Sequence, residues 1–312
     1  MDEQNDSHSS VLLQEAVAAL VTQPDGFYID GTFGRGGHSR LILQRLSQQG
    51  RLLAIDKDYQ AVAWAQRQFA KDSRFDIAQG SFAQLHELIR ARGMLNQVQG
   101  VLLDLGVSSP QLDEAERGFS FLRDGELDMR MDTKQGSTVA QWLRTVQEPE
   151  LAKILKEYGE EKFAKRIARA IVAARAQLPI TRTQQLADII ATAHPAWEPG
   201  KHPATKSFLA MRLYINRELE DLSACLSQVI DVLAPQGRLV VISFHSLEDR
   251  IVKRFLKEME RGAKLPRRLP IKDKRVAKKM RSLGRPQRPG EVEVSNNPRA
   301  RSAIMRVAEK LA

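Results

Sequence analysis

The feature that most constrains this chain is a short apolar strand running directly into a glycine-rich turn and then a helix. Phe27-Tyr28-Ile29-Asp30 reads as the strand, Gly31-Thr32-Phe33-Gly34-Arg35-Gly36-Gly37-His38 as the turn, and Ser39 to Leu46 as the helix, with Leu41, Ile42 and Leu46 on one side. Glycines let a backbone turn tightly and approach a ligand, and the helix that follows presents free N–H groups. The dinucleotide fingerprint spaces its glycines G-x-G-x-x-G. Here they fall at relative positions one, four, six and seven, after an acid. A plain structural turn is the alternative.

The same alternation continues downstream. Arg51 to Asp56 is a second strand, Ala61 to Ala70 a helix with Val62, Ala65 and Phe69 on one stripe, Phe75 to Ala78 a third strand, Phe82 to Ala91 a helix, and Gly100 to Leu105 a buried fourth strand. This predicts an α/β fold with a doubly wound, mostly parallel, Rossmann-like sheet. The alternation stops after Pro110. Helical stripes follow, formed by Leu151, Ile154, Leu155 and Tyr158, then Phe163, Ile167 and Ile171, then Leu186, Ile189 and Ile190. Ile215, Leu219, Leu222, Leu226, Val229 and Leu233 predict one long helix stopped by Pro235-Gln236-Gly237. Arg238 to Phe244 and Ser302 to Val307 then resume the sheet. The expected organisation is a sheet domain made of 1–112 and 217–312, interrupted by a helical insertion at 113–216, consistent with a prior of roughly 150 residues per domain.

The ends of the strands carry candidate chemistry. Asp56 ends the second strand roughly twenty residues after the glycines, where doubly wound folds use an acid to accept hydrogen bonds from ribose hydroxyls. That geometry serves any adenosine ligand, so a nicotinamide cofactor stays open on this residue alone. Asp104 ends the fourth strand at the same crevice. Phe82 follows Gly80-Ser81 and can flank an adenine or belong to the core. The glycine spacing resembles the first motif of class I methyltransferases, whose loop packs on the methionine part of S-adenosylmethionine. After the fourth strand, Ser108-Ser109-Pro110-Gln111 replaces the acid-or-amide, double-proline and aromatic motif usual in methyltransferases of exocyclic amines. Such an amine has its lone pair delocalised into the ring, so an acceptor must hold an N–H and aim the lone pair at the methyl group. A polar turn can supply that acceptor.

Taken together, DGTFGRGGHS at 30–39, LLDLGVSSPQLD at 102–113, RGFSF at 117–121, LDMRMD at 127–132, YGEEKFAKRIARAI at 158–171, KHPATKSF at 201–208, SFHSLEDRIVKRF at 243–255 and NPRARSAIMR at 297–306 resemble the bacterial 16S ribosomal RNA cytosine-N4 methyltransferases of the MraW type. The resemblance runs from about Val11 to Val307. It implies methylation of N4 of one cytidine in the decoding region of small-subunit rRNA, with S-adenosylmethionine as donor. It implies cofactor contacts at Gly36, Gly37, His38, Asp56, Phe82, Asp104 and Gln111. Asp104, Ser109 and Pro110 are the candidates beside the reacting amine. His245, at the end of a strand, is a candidate for the target base or its proton, with a structural histidine as the alternative. No His, Cys or acid cluster has metal-ligand spacing.

Charge bears on the partner. The chain of 312 residues carries a net charge of +10, which favours a polyanion. Lys162, Lys165, Arg166 and Arg169 share a helix, and the stretch from Arg261 to Arg288 is almost without acids. Each is either a solvated face or a phosphate contact. The expected partner is small-subunit ribosomal RNA or the assembling small subunit; a homodimer is compatible with the sequence. No apolar run of about 18 residues spans a membrane, the N-terminus does not read as a signal peptide, and the one cysteine, Cys225, fits a reducing cytoplasm. A noncatalytic ribosome-assembly factor, a nicotinamide dehydrogenase and a DNA amino-methyltransferase are the competing readings.

Overall fold

The structure, a computed structural model, describes residues 10–197, 200, 202–262 and 278–312. Its described residues fall into two compact units, one within Met1–Gly106 and Leu219–Ala312, the other within Val107–Glu218.

The first unit is built on one seven-stranded sheet. Its strands are β1 (Phe27–Asp30), β2 (Arg51–Asp56), β3 (Phe75–Gln79), β4 (Val98–Asp104), β5 (Leu233–Ser243), β6 (Met280–Ser282) and β7 (Ile304–Lys310). They lie in the order β3-β2-β1-β4-β5-β7-β6. β1 to β5 are parallel, while β7 runs antiparallel to both β5 and β6. The sheet is therefore mixed α/β and mostly parallel, as the alternation predicts.

Successive side chains in a strand point to opposite faces, and here the two sets enter separate cores. Tyr28, Leu52, Ala54, Leu102, Val240 and Ile242 pack with Val17 and Leu20 of helix Leu13–Leu20, Ile42 of helix Gly37–Arg45 and Ala65 of helix Tyr59–Gln68. Ile29, Leu53, Ile55, Leu103, Leu239 and Val241 pack on the other face with Ile89 of helix Leu85–Ala91, Leu222, Leu226 and Val229 of helix Glu218–Val232, and Val252 of helix Ser246–Arg261. Burial on both faces is why these strands are continuous apolar runs.

Two local expectations change. The long helix beginning at Ile215 is broken: helix Thr205–Ile215 ends, Arg217 takes a φ of 53°, and a new helix starts at Glu218. The Arg212 guanidinium spans the break with paired bonds to Glu218 at 2.9 and 3.0 Å. Pro235-Gln236-Gly237 lies inside β5 as an irregularity in its register with β4, with Gln236 at a φ of 65°. A Cβ at Gly237 would come within 2.8 Å of the Ala234 and Val98 carbonyls, so only glycine fits there.

The second unit has its own core. Leu151 and Leu155 of helix Glu148–Gly159, Ile167 and Ile171 of helix Ala164–Gln177, Leu186 and Ile190 of helix Thr183–Ala193, and Phe208 and Met211 of helix Thr205–Ile215 meet in one cluster. The first three pairs fall on the stripes that the helical spacing predicts; the contribution of Phe208 and Met211 was not expected.

Candidate active site

Asp30, Asp56 and Asp104 end three adjacent strands, β1, β2 and β4. The strand order reverses between β1 and β4, and in open α/β sheets ligands bind outside the carboxyl ends at such a point.

The glycine turn is secured to both neighbouring strands. Gly31 N–H donates to the Leu102 carbonyl at 2.9 Å and Phe33 N–H to that of Ile55 at 3.1 Å. The Phe33 ring is buried against Trp64, Phe69 and Phe75 and anchors the turn. Gly36 then takes a φ of 72°, a left-handed conformation that glycine adopts without strain. At Gly37 a Cβ would collide with the Ser10 hydroxyl.

His38 lies in the first turn of helix Gly37–Arg45 and is buried. Burial pushes its pKa down to about 4, against a hydrogen bond to the Val11 backbone, so the ring is neutral near pH 7. Its Nδ1 is 3.6 Å from Asp104 Oδ2, and its Nε2 is buried without a hydrogen-bond partner. The Asp104 N–H donates to Thr32 Oγ1 at 2.7 Å, while Asp104 Oδ1 is buried and unpartnered. Burial pushes the Asp104 carboxyl well above the usual range, and the charges of Asp30 and Glu248 add to this.

Asp56 accepts from Gly34 N–H at 2.7 Å through Oδ2 and from Asp58 N–H at 2.8 Å through Oδ1. Burial raises its pKa to about 6; the two bonds oppose this, and the neighbouring acids Asp58 and Asp30 add to it. Each oxygen keeps a second acceptor position, because a carboxylate offers about four. Phe82 opens the 3-10 turn Phe82–Gln84 and is half-buried. Its Cβ lies 3.3 Å from where a Cβ at Gly31 would stand, and the side chain packs against the core of Ile29, Leu53 and Leu103.

His245 turns back onto its own helix. It precedes helix Ser246–Arg261 as N-cap, with Nε2 at 2.9 Å from Glu248 Oε1. Glu248, itself buried, accepts from Phe244 N–H at 2.8 Å. Among the described residues no group of three or more His, Cys, Asp or Glu is placed to hold a metal.

Ser109, Pro110 and Gln111 belong to the second unit and lie together in helix Ser109–Asp113. Gln111 is buried, and its Oε1 accepts from Ser108 N–H at 3.0 Å in a capping box. In the same unit the LDMRM segment is clamped. Asn216 Oδ1 accepts from Met131 N–H at 2.7 Å, its Nδ2 donates to the Met129 carbonyl at 2.7 Å, and Met129 takes a φ of 62°. Lys162, Lys165, Arg166 and Arg169 are all exposed, and Arg169 comes within 3.7 Å of Glu148. Of the basic stretch 261–288, residues 263–277 lie outside the described residues.

The site-forming acids Asp30 and Glu248 are not among the sequence candidates. Asp30 is visible as the acid before the glycines. Glu248 stands three residues after His245, the capping-box spacing.

The arrangement offers unpartnered or partly used acceptors at Asp56 and Asp104 beside a neutral imidazole. That donor-seeking set fits a ligand carrying hydroxyls at one end and an ammonium at the other. S-adenosylmethionine is such a ligand.

Comparison with known proteins agrees with this chemistry. The sequence profile of the MraW methylase family matches residues 5–311. The chain is 58% identical over 305 residues to the ribosomal RNA small subunit methyltransferase H of Chromohalobacter salexigens, covering 97% of this chain and 92% of that one. Solved structures align at lower similarity. An rRNA methylase from Streptococcus thermophilus gives a TM-score of 0.42 at 10% identity, covering 95% and 92% of the two chains. TrmN from Thermus thermophilus gives 0.43 at 12% identity, covering 98% and 50%.

Proposed function

This chain belongs to the MraW methylase family and is an S-adenosylmethionine-dependent methyltransferase, and from that premise we propose that it methylates small-subunit ribosomal RNA at the exocyclic N4 of one cytidine in the decoding region. The observation that carries the substrate class is the 58% identity, over nearly the whole chain, to a small-subunit rRNA methyltransferase. The work is done in the cytoplasm, on free rRNA or on the assembling subunit.

When bound, the cofactor supplies a methyl group already activated on a sulfonium. The protein holds and orients it. Asp56 accepts from the ribose hydroxyls through its remaining lone pairs. Phe82 flanks the adenine. The glycine turn, with Gly36 and Gly37, admits the amino-acid end, and the unpartnered Asp104 Oδ1 accepts from its ammonium. His38, neutral, fills the space beside Asp104 without placing a positive charge against the donor. The family resemblance alone makes Gln111 a further candidate for a cofactor contact.

For the reacting base, Ser109 and Pro110 form the polar turn that accepts an N–H of the amine and aims its lone pair. His245, at the end of β5, is the candidate for the released proton. The helical second unit carries RNA recognition, with the exposed Lys162, Lys165, Arg166 and Arg169 meeting phosphates. The base has to be unstacked to reach such a pocket.

The test is tritiated methyl transfer from S-adenosylmethionine to undermethylated small ribosomal subunits, followed by nucleoside analysis. Label in N4-methylcytidine is expected. Label in another nucleoside, or no label from a protein that binds the cofactor, would overturn the proposed target.

A further inference from the structure

One helix of the first unit reaches the corner where β2 and β3 end. Asp221, on helix Glu218–Val232, has Oδ2 at 2.6 Å from Lys57 Nζ, and the same oxygen accepts from Ser81 Oγ at 2.5 Å. Farther along the helix, Gln228 accepts from His86 N–H at 2.8 Å and donates to the Ala83 carbonyl at 2.7 Å. Ser81 in turn accepts from Ala83 N–H at 3.0 Å, capping the 3-10 turn that begins with Phe82. Gly80 N–H donates to the Asp56 carbonyl at 2.8 Å.

The two residues tied by Asp221 are chain neighbours of the two that matter. Lys57 follows Asp56, and Ser81 precedes Phe82. Both members of the ion pair are shielded, with side chains 20% and 14% exposed, so the tie is less screened than a surface pair. The Ser81 hydroxyl is used in both directions, as donor to Asp221 and acceptor from Ala83, which leaves the turn one orientation.

We infer that Asp221 is a positioning residue for the adenosine end of the cofactor pocket: its carboxylate binds Lys57 to Ser81 and so holds Asp56 and Phe82 in fixed relation. The inference rests on the proposed roles of Asp56 and Phe82 toward ribose and adenine. A pocket whose walls are already ordered loses less entropy when it binds, and removing the tie returns that cost to the binding step.

The test is calorimetric binding to the full chain, with S-adenosylmethionine and with 5′-methylthioadenosine, which lacks the amino-acid end. No RNA is present, so the result is independent of the proposed target. Asp221→Ala is expected to weaken both ligands by the same factor, about tenfold. Asp221→Asn, which keeps an acceptor for Ser81, is expected to restore most of the loss, a pattern that general destabilisation would not give. Phe82→Ala is expected to weaken methylthioadenosine as well. If Phe82→Ala weakens binding but folded Asp221→Ala does not, the role of Asp221 is overturned. If neither variant changes methylthioadenosine binding, the placement of adenine is overturned, and the inference with it. Should Asp221→Ala not fold, Ser81→Ala cuts the same tie, and unchanged affinity in it is equally decisive.

Discussion

His38 and Asp104 face each other at 3.6 Å as a neutral imidazole beside a carboxyl held well above its usual pKa. An acid whose pKa is raised in the native state binds its proton more tightly folded than unfolded. Its ionisation therefore costs stability as pH rises from the unfolded value near 4 through the folded one. Asp30, raised to about 6 chiefly by burial, acts in the same direction. His38 acts oppositely: its neutral form is favoured in the fold, so its contribution is complete above about 6.5 and is lost as pH falls toward 4. Asp104→Asn removes only the acid's share. In scanning calorimetry without ligand, the variant should melt above wild type at pH 7, with the gap shrinking at pH 4. A lower melting temperature at pH 7 would show that the Asp104 charge is compensated within the protein. The same variant should bind S-adenosylmethionine more weakly.

Asp56→Ala should weaken S-adenosylmethionine by roughly 1–3 kcal/mol, the cost of leaving polar groups unpaired at a buried contact. Part of that loss comes through Gly34 and Asp58, whose N–H groups Asp56 accepts. Unchanged calorimetric affinity would remove Asp56 from the site.

Charge reversal of Lys165 and Arg169 should weaken binding to small-subunit rRNA and flatten its dependence on salt, since fewer counterions are released. The near contact of Arg169 with Glu148 is between exposed groups and contributes little to stability, so the fold should survive. An identical slope of log affinity against log salt would mean that this face is merely solvated.

Asn216→Ala should destabilise the protein by roughly 2–4 kcal/mol, because Asn216 bonds Met131 N–H, the Met129 carbonyl and the Arg212 carbonyl. Urea unfolding measures this directly. A change below about 0.5 kcal/mol would show that water replaces all three bonds.

Cys225 should be inert to thiol reagents in the folded protein. It is fully buried, and burial, with the Asp221 charge, pushes its thiol up to about 12, far from the thiolate that reacts. Labelling should begin only in denaturant, and rapid labelling under native conditions would contradict its burial.

Much of the fold was legible because it rests on periodicity. Leu52, Leu53, Ala54 and Ile55 form one apolar run whose members alternate between two cores, and the 3.6-residue stripes of Leu151 and Leu155 or Ile167 and Ile171 need one buried side each. The break at Arg217 was not legible. The apolar spacing passes through it undisturbed, and the residue beside it, Asn216, is engaged by Met129 and Met131, residues distant in the chain. β6 was hidden for a similar reason: Met280–Ser282 is three residues long and becomes a strand by pairing with β7.

At the site, local residue order determined the glycine turn, the acids that end β2 and β4, and the helix that follows, because strand, turn and helix are adjacent in sequence. Tertiary structure decided what those groups do to one another. It brought Asp30 and Glu248 close enough to raise Asp104, and it set Asp221 between Lys57 and Ser81. Burial and distance set these interactions, and both depend on parallel strands joined by crossovers, which place residues far apart in the chain side by side.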